Sequence, residues 1–149
     1  DYLRYSFTAG SDPSRKISYS LQYEFGDYYN GKLKTSDLAV SIIPIPHISL
    51  KASINRNQFE SVGTNSETKE VFLYTLQGRF AVNPRIQLVG LYQKNSQNTL
   101  DSFNIRFAWE YSPLSYVYLV LNSRETLGDD FVRQTEQQGI FKISYLKQF

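Results

Sequence analysis

Phe103-Asn104-Ile105-Arg106-Phe107-Ala108-Trp109-Glu110-Tyr111 sets the reading of the whole chain. Every odd position is large and apolar or aromatic, and every even position is polar or small. A β-strand points successive side chains to opposite faces, so this stretch makes one greasy face and one wet face. The wet face carries Arg106 and Glu110, charges that a packed core excludes. The greasy face is dominated by aromatics. The expectation is that it touches lipid while the wet side lines a lumen.

Most other segments repeat the pattern. Leu3, Tyr5 and Phe7 alternate with Arg4, Ser6 and Thr8. From Lys16 to Phe25, Ile17, Tyr19, Leu21, Tyr23 and Phe25 alternate with polar residues that include Glu24. A third strand is expected over 32–43, stopped by Pro44-Ile45-Pro46, and a fourth sets Ile48, Leu50, Ala52 and Ile54 against Lys51 and its polar neighbours. The fifth carries Phe72, Tyr74, Leu76, Phe80 and Val82 opposite Thr75, Gln77 and Arg79. The sixth, 85–94, alternates poorly, and the eighth, 116–122, is apolar on both faces. A polar loop is expected over 57–68 and another over 123–138, in which 126–137 has room for a turn of helix. The last strand presents Phe141, Ile143, Tyr145 and Phe149 opposite Lys142.

Nine strands result, and their connections differ by end. Pro13, Pro44, Pro46, Pro84 and Pro113 all fall in alternate connections, which include the shortest ones. The intervening connections lack proline and tend to be longer. Outer-membrane barrels have short periplasmic turns and longer outer loops, so the proline ends read as periplasmic, with Phe149 at the periplasmic rim. The expected fold is therefore an all-β, antiparallel, up-and-down transmembrane β-barrel. Arg4, Glu24, Lys51, Arg79, Arg106, Glu110 and Lys142 are its lumen-facing candidates. Tyr19, Tyr23, Phe80, Phe107, Trp109, Tyr111, Tyr145 and Phe149 are its lipid-facing or girdle candidates. The alternative is a soluble antiparallel barrel of lipocalin type with the greasy face inward, which alternation alone does not separate.

Composition narrows the chemistry. The 149 residues carry a net charge of +2, too small to imply a nucleic-acid partner. Cys is absent, so there is neither a disulfide framework nor a thiolate metal site. No run approaches about 18 apolar residues, so no transmembrane helix is expected. Aromatics make up 15% of the chain, with 12 Tyr and 10 Phe, which suits β structure and interfacial girdles.

Two motifs carry a family resemblance. Asn104-x-Arg106-x-x-Trp109-x-Tyr111-x-Pro113-x-Ser115, followed by Tyr118-Leu119-Val120-Leu121-Asn122, resembles the C-terminal barrel region of a family of Bacteroidota cell-surface proteins without an assigned function. Gly26-Asp27-Tyr28-Tyr29-Asn30-Gly31 resembles another piece of that region. Leu114 stands where the family pattern leads one to expect glycine. The end of the chain resembles the terminal signature of bacterial outer-membrane barrels, with Lys147 as a departure. The resemblance implies an outer-membrane location. It also implies an upstream carbohydrate-binding module of the family-nine type, from which no sugar site carries over to these residues. Bacterial single-chain barrels have even strand numbers, so nine strands imply the C-terminal part of a larger barrel. An eight-stranded barrel from Lys16 onward is the runner-up.

No catalytic constellation is present, and neither an enzyme activity nor a cofactor is expected. His47, the one histidine, reads as solvated or lumen-facing. Asp129-Asp130 with Glu125 has the oxygens of a Ca²⁺ site but not the spacing, so a solvated acidic loop is preferred. Tyr28 and Tyr29 suit either a sugar ring or a girdle. Glu110 and Arg106 are expected to pair with neighbours such as Arg79 or Lys142. The expected partners are outer-membrane lipid, the remainder of the same barrel and other surface proteins. The expected role is a pore or a scaffold for a cell-surface complex concerned with glycans or secretion.

Overall fold

The computed structural model describes residues 3–62, 67–97, 100–127 and 133–146. They form nine strands: β1 (Arg4–Gly10), β2 (Ile17–Tyr28), β3 (Gly31–Ile45), β4 (Ile48–Val62), β5 (Glu67–Asn83), β6 (Ile86–Asn95), β7 (Leu100–Ser112), β8 (Ser115–Leu127) and β9 (Arg133–Ser144). Each pairs antiparallel with its sequence neighbours in one up-and-down sheet, and no helix occurs among the described residues. β1 and β9 are the sheet's two edges. β2 is not an edge, because β1 covers it from Arg4↔Gly26 to Gly10↔Ser20. That pairing removes the eight-stranded closure expected from Lys16 onward.

The strands outrun their sequence limits. β4 continues to Val62 and β5 begins at Glu67, through most of the expected loop at 57–68. β8 reaches Leu127 and β9 starts at Arg133, so the flanks of the expected helical turn at 126–137 are strand. Its centre, with Asp129 and Asp130, lies outside the described residues, as does Phe149. Polar residues on both faces looked like loop because no apolar alternation marked them. Cross-strand pairing satisfies their backbone groups equally well.

Pro44 does not stop β3. The strand runs on to Ile45, and the register slips between Ile42 and Ile45 instead. Proline lacks the N–H that a ladder needs, and a bulge accommodates that loss. Similar slips lie at Ala81/Asn83 and Glu110/Ser112, each just before a two-residue turn at the proline end. Three hairpins therefore close alike, around Pro46-His47, Pro84-Arg85 and Pro113-Leu114. In the first connection Asp12 Oδ1 accepts hydrogen bonds from the Ser14 backbone N–H at 2.9 Å and the Ser14 hydroxyl at 2.7 Å. These hold its carboxyl below the usual range.

The sheet does not close over a core. Ala81 is the one buried hydrophobic residue among those described. The accessible surface is 11118 Å² for a 17.3 kDa chain, whereas a compact globular monomer of that mass exposes about 7800 Å². Large apolar side chains such as Ile17 and Phe141 are among the groups left in the open.

Candidate functional site: a two-faced sheet

Cross-strand partners share a face, so the register shows what each face carries. One face joins Ile17, Ile42, Leu50, Gly78, Gly90, Ile105 and Leu121 in a single pairing row. The next row joins Ile48, Phe80, Leu88, Phe107, Leu119 and Phe141. Tyr19, Tyr23, Phe80, Phe107 and Trp109 all lie on this apolar face. Trp109 is 42% exposed and Phe141 64% exposed. Tyr111 falls in a register slip, yet its ring meets that of Trp109 edge-on at 6.1 Å. Tyr145 is exposed just beyond β9.

The other face carries Arg4, Glu24, Lys51, Arg79, Arg106 and Lys142, amid a track of neutral hydrogen-bonding groups. Asn55 donates to Asp37, Asn104 to Asn122, and Thr35 to Asn57 at 2.8 Å. Two recesses lie along this face. One of about 460 Å³ is lined by Gln22, Asp37, Asn55 and Thr75; another, of about 580 Å³, by Asn104, Arg106, Asn122 and Gln138. A larger one, of about 610 Å³, lies at the β2–β3 hairpin end, lined by Asp27, Lys32 and Glu60. Glu110 is not paired with Arg106, Arg79 or Lys142. Its Oε1 accepts the Leu114 N–H at 3.0 Å, fixing the turn. His47 Nδ1 donates to the Ala81 carbonyl at 2.8 Å. The described residues bring no three His, Asp or Glu side chains together.

The apolar belt has a sharp margin at the hairpin ends. On its own face, Ile54 gives way to Arg56, Tyr92 to Lys94, Phe103 to Asp101 and Leu121 to Ser123. The three described ion pairs lie beyond this margin: Lys34–Glu60 at 2.5 Å, Arg56–Glu70 at 2.7 Å and Lys94–Asp101 at 3.9 Å. All are part-exposed, so water screens each pair and it contributes little to stability. They mark where the apolar side chains of this face end. Past the margin the faces of β2–β4 trade character, and the formerly polar side presents Tyr28, Leu33 and Phe59. The rings of Tyr28 and Phe59 meet edge-on at 5.6 Å.

This margin is inclined to the pairing rows. The row through Gln137, the first polar side chain past the belt on β9 after Gly139, runs by way of Ser123, Phe103, Tyr92, Leu76, Ala52 and Val40 to Tyr19 on β2. Tyr19 lies inside the belt, whose first polar residue on β2 is Asp27, about eight residues further on. At ~3.3 Å per residue and ~4.8 Å between strands, that offset across seven spacings inclines the margin by about 40°.

The quoted motifs prove to be fastenings. Tyr111 Oη donates to the Ser144 carbonyl at 3.1 Å, and Leu146 N–H donates to Oγ of the fully buried Ser115 at 3.1 Å. Together they hold the end of β9. Leu114, where glycine was expected, has φ 61°. A residue after proline at positive φ favours glycine, and a leucine there is strained by about 1–2 kcal/mol. Leu114→Gly is expected to stabilise the fold by about 0.5–1 kcal/mol after its own chain-entropy cost. A rise in the urea midpoint checks this, and a fall would refute the strain.

No protein-family profile matches this chain, and no curated protein matches it either.

Proposed function

We propose that this chain is the membrane-embedded wall of a bacterial outer-membrane β-barrel, with its apolar belt in lipid and its polar face on a water-filled lumen. The inclined belt margin carries the reading. Strands of transmembrane barrels tilt by about 35–45° to the barrel axis, and a belt level with the bilayer crosses their pairing rows at that angle. The belt's height agrees. The nine residues 103–111 at ~3.4 Å each, tilted by ~40°, rise about 21 Å, near the apolar band of about 25 Å. A soluble barrel of lipocalin type would turn Phe107, Trp109 and Phe141 inward, away from water. The exposure of Trp109 and Phe141, with a recess beside Arg106 on the polar face, supports the outward reading.

β1 and β9 run in the same direction, so an antiparallel closure needs an odd number of further strands between these edges. Those strands would come from the same protein or from a partner. A membrane interior tolerates no open edge. The proline turns then lie in the periplasm, and the extended β2–β5 hairpins stand above the outer leaflet. The family resemblance supports a cell-surface role for such a wall, as a pore or as a scaffold for a glycan-handling or secretion complex.

The test is refolding of the protein with lipid vesicles. Insertion appears as strands protected from protease and as heat-modifiable mobility on a gel. A monomer that stays folded in water without detergent or lipid would end the barrel reading. Conductance of the inserted protein in a planar bilayer separates the pore from the scaffold.

A further inference from the structure

On strands β4–β9, the proline-end half of the polar face holds four long cations that lack an ion pair among the described residues. Lys51, Arg79, Arg106 and Lys142 are all exposed, and none takes part in an ion pair or side-chain hydrogen bond among the described residues. Arg79 and Arg106 flank Val89 in one pairing row. Lys51 lies one row toward the hairpin ends, opposite Gln77, and Lys142 one row toward the proline ends, opposite Tyr118. No carboxylate occupies any of these three rows. The nearest carboxylates by row are Glu110, committed to its turn, Asp37, committed to Asn55, and Glu136, which stands opposite Arg124 two rows from Arg106 and shares a recess with both arginines.

The inclination of the belt turns these scattered positions into a level. Lys51 is on β4 and Lys142 on β9, a displacement of two rows that largely follows the slope of the margin. Measured from that slope, the four cations fall within about 7 Å of one height, in the proline-end half of the belt. They extend across five strand spacings, about 24 Å of wall. One recess is lined by Arg106 and another by Lys51.

We infer that these four side chains form a cationic collar on the lumen wall that binds and selects small anionic solutes bearing carboxylate, phosphate or sulfate groups. A concave wall with one sign of charge concentrates counter-ions, and rings of Arg and Lys serve this purpose in anion pores. The inference rests on the barrel reading, because only a closed wall makes the four face one another.

The experiment uses the full-length protein refolded in detergent and in vesicles, with the trisulfonate dye pyranine as probe. Binding is followed by fluorescence anisotropy at low salt. The triple variant Lys51→Gln/Arg79→Gln/Arg106→Gln is expected to bind pyranine at least tenfold more weakly. Lys34→Gln, beyond the belt on the opposite face, is expected to bind like the parent. Inorganic sulfate should compete in the parent. Protein that inserts but binds no pyranine, or a triple variant that binds it unchanged, overturns the collar and leaves the barrel reading standing. Failure to insert in vesicles overturns both. Heat-modifiable mobility of the variants establishes that they fold.

Discussion

Leu119→Arg is expected to cost about 2–4 kcal/mol of folding stability in a bilayer. Leu119 is the middle of the three belt residues on β8, between Phe107 and Phe141. On the proposed barrel reading, a guanidinium there loses its water to lipid with nothing to replace it. The cost of an arginine on the lipid face falls toward the interfaces, so Ile86→Arg, at the proline-end margin of β6, is expected to lose only about 0–1 kcal/mol. Ala108→Arg points to the polar side, between Gln87 and Tyr118, and is expected to be tolerated within about 1 kcal/mol. Urea titration of the three variants folded into vesicles measures the series. Equal losses at Leu119 and Ala108 would show that the two faces meet the same surroundings.

Gly31→Ala is the second large effect, at about 2–3 kcal/mol of destabilisation. A Cβ at Gly31 would stand 2.2 Å from the Glu60 carbonyl oxygen and 2.7 Å from the Ser61 carbonyl carbon. Those are backbone atoms at the β4 irregularity, where Ser61 has φ 55°, so no side chain can swing aside. Gly90 is the contrast, since a Cβ there meets nothing within 4 Å. Gly90→Ala is expected to change stability by less than about 0.5 kcal/mol. The same titration reads both, and a Gly31→Ala protein as stable as its parent would show that the hairpin relaxes freely.

Alternation in the sequence carried the nine strands and the partition of Trp109 from Arg106, because strand geometry is local. Proline marked three two-residue turns for the same reason, but it did not separate the ends by length, since the proline-free Tyr29-Asn30 connection is equally short and the connection holding Pro13 spans 11–16. What the sequence left hidden depends on partners distant along the chain. Arg56, Gln58 and Glu60 keep the parity of Ile54, but nothing local says that Lys34 and Glu70 await them across the sheet. Pro44 looked like a stop because a bulge cannot be seen without the strand it faces. Glu110 looked like half of an ion pair, since its spacing from Arg106 is visible and the bent turn that brings Leu114 N–H to it is not. The level shared by Lys51 and Lys142 needs every register from β4 to β9 before it emerges.

In this sheet every strand pairs only with its neighbours along the chain. A wall of that kind is modular: a hairpin such as β5–β6 answers only to the strand on either side. Duplicating or losing one hairpin keeps the direction of the flanking strands and changes the circumference by two. The final hairpin is the exception in one respect: Ser115 fastens it from within, while Tyr111 fastens its end from β7, so β7, β8 and β9 form the smallest unit that keeps both fastenings.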